Sequence, residues 1–176
     1  MAIRLLLFLS IFIVLTSSSC NEEFQELMMS RTPYNGDELR IDGYYYSDAT
    51  SSDLVGLGVF YRDGVCIHFL FKPETADTLN FIENEFLLNA EFIENAKNRP
   101  NWIGVFNING TSLDYETFET ARNTNTRSYF AEIINDTTFV LQKEVDNLTG
   151  NIFEENITYR FKEFSPKPDS TNMFIN

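Results

Sequence analysis

Leu54-Val-Gly-Leu-Gly-Val-Phe-Tyr-Arg-Asp-Gly-Val-Cys-Ile-His-Phe-Leu-Phe71 consists of two apolar runs separated by Asp63-Gly64. An Asp-Gly pair between two apolar runs is typical of a β-hairpin, because both residues tolerate the positive φ angles of a tight turn. This stretch therefore predicts two strands, over residues 54–62 and 65–71, joined by a short turn.

The same pattern recurs downstream of this hairpin. Asn109-Gly110 and Asn135-Asp136 each separate two runs of strand-like composition. A last strand is predicted where Ile157, Tyr159 and Phe161 alternate with polar residues. The predicted strands are residues 39–46, 54–62, 65–71, 102–108, 111–118, 128–134, 137–145 and 157–164.

Residues 74–98 change from the strand period to the helical period. Apolar side chains recur here at spacings of three and four, which places them on one face of an amphipathic helix. Asn84 and Asn89 are the expected breaks, and Arg99-Pro100 ends the helix because the residue before a proline avoids helical geometry. The apolar face consists of Leu79, Ile82, Phe86, Ala90 and Ile93.

The order of these elements predicts a mainly β fold. Eight short antiparallel strands avoid open edges by closing into an up-and-down barrel, with the helical insertion between the third and fourth strands. The barrel domain is predicted over residues 38–165, followed by a tail over 166–176. A barrel of eight strands is just wide enough to be filled by side chains or to hold one small ligand.

The predicted barrel resembles the lipocalin-like (calycin) superfamily, whose first strand carries a Gly-x-Trp signature. Gly43-Tyr44-Tyr45 supplies the glycine, with Tyr45 in the tryptophan position. The resemblance implies that a basic residue of the last strand, Arg160 or Lys162, packs against this side chain. The chain departs from the superfamily in having Asn135-Asp136-Thr137 where Thr-Asp-Tyr is favoured, and in placing its helix inside the barrel sequence.

The N-terminus has the pattern of a secretory signal peptide. Arg4 precedes an apolar run that ends in Ser17-Ser18-Ser19, and the run is too short for the roughly 20 apolar residues of a transmembrane helix. Cys20 follows directly, so the segment resembles a bacterial lipoprotein signal, although Ser17 stands where leucine is usual. The resemblance implies removal of residues 1–19 and lipidation of Cys20; the alternative is an ordinary signal peptide that leaves Cys20 a plain thiol.

The expected partner of an acylated Cys20 is the lipid bilayer of the outer membrane. Asn21-Glu22-Glu23 resembles the surface-export signal of certain Gram-negative lipoproteins, which implies an outward-facing location. The alternative interpretation is that these residues are simply an acidic, solvated spacer. Residues 20–37 are predicted to be the lipidated N-terminus and a flexible tether.

The charge of the chain argues against two classes of partner. Its formal net charge is −13, and removal of Arg4 with the signal peptide makes it −14. Such a chain repels nucleic acid and anionic lipid headgroups. With 17 Phe, 8 Tyr and 1 Trp, it is also far from a disordered composition.

The sequence predicts no catalytic residue, metal site or cofactor. Cys66 and His68 share one strand face, but two ligands do not complete a zinc site, and their spacing is poor for a nucleophile–base pair. Both are therefore expected to be packed in the strand. A hydrolase based on Asp114 and Glu116 remains an alternative, although alternation places both on the polar, solvated face of their strand.

The inward-facing aromatic side chains are the remaining candidates for a site. They can line a pocket for an apolar or ring-shaped ligand, or they can form a solid core. The first case predicts a non-catalytic binding or accessory protein that captures a small hydrophobic or glycan-like ligand. The second predicts an interaction protein that docks on another envelope component. The candidate ligand contacts are Tyr45, Phe60, Trp102, Phe106, Tyr115 and Tyr159, with Phe130 and Phe161 expected on the same face.

Overall fold

The eight strands form one closed barrel in which each strand pairs with its neighbours in the sequence and β1 pairs with β8. The computed structural model describes residues 26–50, 52–119 and 125–175, so the predictions for the signal peptide, for Cys20 and for most of the loop at 119–126 lie outside it. All strand pairs are antiparallel, as predicted. The strands are β1 (Gly43–Ser47), β2 (Val55–Phe60), β3 (Val65–Phe71), β4 (Ile103–Asn109), β5 (Ser112–Phe118), β6 (Thr126–Asn135), β7 (Thr138–Asp146) and β8 (Ile152–Glu163).

The three turns predicted from the sequence are confirmed by the strand register. β2 and β3 pair from Phe60↔Cys66 outward, and Gly64 in their turn has φ 86°, a backbone conformation that favours glycine. The largest difference is at β8, which begins five residues before the predicted residue 157. The first residues of β8 pair with β7 as far as Val145↔Ile152, so cross-strand pairing extends this strand through the polar residues Glu154, Glu155 and Asn156.

The helical insertion lies between β3 and β4, as predicted. It consists of α1 (Thr78–Phe81), which continues into a π-helical segment (Ile82–Leu87), and α2 (Ala90–Lys97). The chain breaks at Asn89, whose side chain accepts a hydrogen bond from the Phe92 amide and caps α2. Asn84 does not break the helix, because its amide group donates to the Asn80 carbonyl within the continuous helical stretch.

One apolar layer lies on each side of the strands. The inner layer fills the barrel and is centred on Phe60, which is 1% exposed. The outer layer lies between the outer faces of β1–β4 and the helical insertion, where Ile82 is fully buried. The helices therefore complete a second core outside the barrel.

The structure corrects two expectations for residues of β6 and β8. Phe130 points out of the barrel, where the Lys143 ammonium lies 4.2 Å from its ring centroid, and Tyr129 points inward in its place. Arg160 and Lys162 point outward, as their alternation with Tyr159 predicts. They form ion pairs with Asp48 and Glu83, instead of the packing on Tyr45 that the resemblance implies.

The Gly43-Tyr44-Tyr45 motif nevertheless has a structural basis. A Cβ atom at Gly43 would lie 2.0 Å from the Lys162 carbonyl oxygen, so only glycine allows this approach of β1 to β8. The Tyr45 hydroxyl lies 2.9 Å from the carbonyl oxygens of both Arg40 and Asp136. The motif thus fixes the start of β1 against its neighbours.

Residues 31–42 close the end of the barrel that contains the β2–β3, β4–β5 and β6–β7 turns, here called the closed end. Tyr34 is 7% exposed, and its amide donates to the Arg62 carbonyl at 2.9 Å. Arg31 forms a 3.0 Å ion pair with Asp63. The later part of the predicted tether, from Met29 onward, therefore packs on the barrel.

The C-terminal tail also packs on the barrel. The Lys167 ammonium donates to the carbonyl oxygens of Ile41 at 2.6 Å and Phe60 at 2.7 Å. Burial lowers the pKa of Lys167 to about 8. Asp169 forms a 2.7 Å ion pair with Lys97 and so joins the tail to α2.

Candidate functional site

Five of the six predicted ligand contacts lie together inside the barrel. Their rings touch one another around Phe60, with centroid distances of 5.8 Å to Tyr45, 5.1 Å to Phe106 and 5.9 Å to Tyr115. None of the five is more than 1% exposed. They therefore serve as core side chains, packed at aromatic contact distances. The five are Tyr45, Phe60, Phe106, Tyr115 and Tyr159.

His68 lies among these rings, and Cys66 shares its inward face, as predicted. The His68 Nε2 atom lies 2.8 Å from the Tyr159 hydroxyl, and the Tyr115 and Tyr129 ring centroids are 5.1 and 4.7 Å away. Burial lowers the pKa of His68 to about 3, with a smaller contribution from the Arg127 charge, so the imidazole is neutral near pH 7. Its Nδ1 atom has no hydrogen-bond partner among the described residues.

A polar layer that the sequence analysis missed lies above His68 at the end opposite the closed end, here called the loop end. Arg127 forms ion pairs with Glu144 at 2.9 Å and with Glu119 at 2.5 Å. Burial raises the pKa of Glu144, and the hydrogen bond from Arg127 partly opposes this rise. The alternation of β6 predicts that Arg127 shares a face with Tyr129, and this was the signal available in the sequence.

Trp102, the sixth predicted ligand contact, does not lie inside the barrel with the other five. Its backbone φ is 72°, a left-handed conformation that is rare for a bulky residue and that interrupts the alternation just before β4. The indole lies outside the barrel, stacked on Phe92 at 5.6 Å with an interplanar angle of 12°, and 4.9 Å from Phe69. It remains 37% exposed.

Trp102 forms one wall of an open groove beside α2. The groove has a volume of about 200 Å³ and combines aromatic rings with two side-chain amides and a guanidinium group. Such a lining offers a flat apolar face together with hydrogen-bond donors and acceptors, which suits a small polar ring. This groove, here called the Trp102 groove, is lined by Phe92, Asn95, Ala96, Arg99, Asn101 and Trp102.

The second acid of the Asp114–Glu116 pair is not solvated as expected. Glu116 is 1% exposed, because the chain at Met29 and the Asn147 side chain cover it. Its carboxylate accepts hydrogen bonds from the Met29 amide at 2.8 Å, the Thr126 hydroxyl at 2.5 Å and the Asn147 side chain at 3.1 Å. These bonds make Glu116 a structural acceptor that attaches the N-terminal segment to β5.

The described residues include no group of three or more His, Cys, Asp or Glu side chains that could hold a metal ion. Cys66 is fully buried, and burial raises the pKa of its thiol well above the ordinary range. Within the same residues, no helix is long and apolar enough to cross a bilayer.

The architecture is that of a closed, eight-stranded antiparallel barrel with a helical insertion, consistent with a lipocalin-like barrel. Comparison with family models, curated proteins and solved structures found no match to this chain.

Proposed function

We propose that this chain is a membrane-anchored envelope lipoprotein with a non-catalytic binding role. The support for the anchor is the sequence from Met1 to Cys20, which has the features of a bacterial lipoprotein signal. A diacylglycerol thioether and an amide-linked chain on Cys20 insert three acyl chains, each contributing about 0.8 kcal/mol per buried CH₂. Its membrane partner is then the outer-membrane bilayer, with the barrel held at the cell surface.

Replacing the anchoring cysteine tests this location. Cys20→Ala should release the protein from the membrane fraction and abolish metabolic labelling with palmitate, since the thiol is the acceptor of the lipid. Cys66→Ala is the matched control, because Cys66 is buried inside the barrel and should not affect labelling. Membrane association that survives Cys20→Ala would refute the anchor.

The ligand platform of this protein is the Trp102 groove, and its ligand is a small ring with polar substituents, such as a glycan. The observation that carries this proposal is the exposure of Trp102: five of the six predicted contacts are at most 1% exposed, whereas the indole is 37% exposed. The negative face of an indole attracts the polarised C–H groups of a sugar ring. Asn95 and Arg99 line the same groove and supply hydrogen-bond donors for hydroxyl and carbonyl groups.

Trp102 is the only tryptophan in the chain, so its fluorescence reports directly on the groove. Titration with an N-acetylglucosamine tetrasaccharide should give a saturable change in emission. Arg99→Ala should weaken the apparent Kd about tenfold, the loss expected for one hydrogen bond from a charged donor. Asn84→Ala, on the same helical insertion but outside the groove, should leave the Kd unchanged.

Two results of this titration would contradict the groove assignment. The first is an emission that does not respond to the tetrasaccharide, and the second is an equal loss of affinity in both variants.

The solid interior also supports a second candidate function. A barrel filled by Phe60 and its neighbouring rings can serve as a scaffold that docks on another envelope component. A protein partner recovered from envelope extracts by the wild-type chain, but not by a chain with Trp102→Ala, would place such docking at the groove. Recovery by both chains would place it elsewhere on the surface.

A further inference from the structure

Four large apolar side chains remain exposed at the loop end, on the side of the barrel formed by β5–β8. Their exposed fractions are 67% for Met28, 64% for Leu148, 59% for Ile152 and 43% for Phe153. Large apolar groups exposed together at one end of a domain are unfavourable in water, and such clusters typically mark a contact surface. These four residues are here called the apolar rim.

Hydrogen bonds of the neighbouring residues Met29 and Asn147 place the apolar rim at one end of the barrel. The Glu116 carboxylate accepts hydrogen bonds from the Met29 amide through one oxygen and from the Asn147 side chain through the other. The neighbouring residues Met28 and Leu148 therefore lie at the same end of the barrel. Ile152 and Phe153 begin β8 and pair with Val145 and Glu144, so their side chains lie on opposite faces of the hairpin at its open edge. The Phe153 ring lies 5.5 Å from the Arg127 guanidinium carbon. The rim thus combines the N-terminal segment with one hairpin end.

The short distance in sequence between Met28, in the rim, and Cys20 indicates what covers the rim. Nine residue steps separate Met29, attached to Glu116, from Cys20, and a chain of this length spans at most about 32 Å. Acyl chains on Cys20 would therefore hold Met28 within about 32 Å of the lipid headgroups. A tether this short gives the neighbouring surface a high effective concentration at the bilayer.

We propose that the apolar rim docks on the bilayer that carries the anchor, so that the loop end faces the membrane and the closed end faces away. This inference rests on the proposed acylation of Cys20. Glu144 and Asp146 lie in the same hairpin and the chain as a whole is acidic, so charge does not attract this end to anionic headgroups. The contact therefore depends on the apolar side chains. A neutral phosphatidylcholine surface suffices, and the contact should withstand high salt.

Quenching of tryptophan by brominated acyl chains tests the docking. In a Trp102→Phe background, the full chain with Phe153→Trp is reconstituted into phosphatidylcholine vesicles that contain brominated lipid. The matched control is Ile134→Trp, an exposed position near the β6–β7 turn at the closed end. Quenching should be at least about twofold stronger at position 153, because docked apolar side chains reach the acyl boundary.

A second pair of variants tests whether apolar contact is the cause. Ile152→Glu in the Phe153→Trp chain should reduce quenching toward the control value. Met173→Glu should leave it unchanged, although Met173 is 69% exposed, because it belongs to the C-terminal tail and not to the rim. Equal effects of the two substitutions would contradict the proposal.

The mass of the Cys20 peptide separates failure of the docking from failure of the anchor. Acylated protein that is quenched equally at positions 153 and 134 overturns the docking and leaves the anchor intact. If Cys20 is not acylated, the same chain is coupled through its thiol to a maleimide lipid, and the quenching comparison is repeated. Cross-links from position 153 to an envelope protein instead of lipid would also overturn the proposal.

Discussion

Phe60→Ala should lower the free energy of unfolding by about 3–5 kcal/mol, the cost of removing a fully buried aromatic ring and leaving a cavity. Phe60 is 1% exposed, and its ring lies within 6.0 Å of those of Tyr45, Phe106 and Phe139. These neighbours belong to different strands, so they cannot collapse into the space without disturbing the barrel. Denaturant unfolding of the full chain measures the change.

Phe153→Ala is the matched control for this substitution. Phe153 is 43% exposed at the loop end, and its ring lies 5.5 Å from the Arg127 guanidinium carbon, so its truncation should change stability by no more than about 1 kcal/mol. A cost at Phe60 as small as that at Phe153 would mean that the interior is not a packed core. The interpretation of the inward aromatic rings as a ligand cavity would then regain support.

Acidification should destabilise the protein through His68 before most carboxylates titrate. The pKa of His68 is about 3 in the folded chain, against an ordinary value of 6.5, because burial disfavours the imidazolium. Between these two values the unfolded chain binds a proton that the folded chain does not bind, so stability falls as the pH falls. The expected loss between pH 7 and pH 5 is about 2 kcal/mol.

His68→Gln removes this proton uptake and keeps a side chain that can hydrogen-bond to the Tyr159 hydroxyl. His68 is the only histidine in the chain, so the variant should show a flatter pH profile of unfolding free energy between pH 7 and pH 5. Glu144 acts in the opposite direction, since its raised pKa stabilises the folded chain as it becomes protonated. Equal slopes for wild type and variant would show that His68 is not the titrating group.

The barrel could be predicted from the sequence because local and global preferences agree. Asp63-Gly64, Asn109-Gly110 and Asn135-Asp136 each specify a turn between runs that already favour strands, and closure removes the open edges of the sheet. The early start of β8 could not be predicted in this way. Glu154, Glu155 and Asn156 interrupt its strand pattern, and its first residues become ordered by pairing with β7.

The candidate site was less accessible to sequence analysis than the fold. Alternation predicts an inward Trp102, but the left-handed backbone at this residue moves the indole out to the groove beside α2. The burial of Glu116 depends on Met29, which is 87 residues away in the chain. Both features arise from contacts between distant segments, which no local pattern records.

Titration of isotope-labelled protein with the N-acetylglucosamine tetrasaccharide, followed by NMR, tests the central claim most directly. The claim is that the barrel interior is a solid core and that the ligand binds outside it, at Trp102. The Trp102 indole N–H and the Asn95 side-chain amide should shift on binding, and the ring resonances of His68 and Tyr115 should stay in place. Shifts of His68 and Tyr115 without a shift of Trp102 would contradict the account.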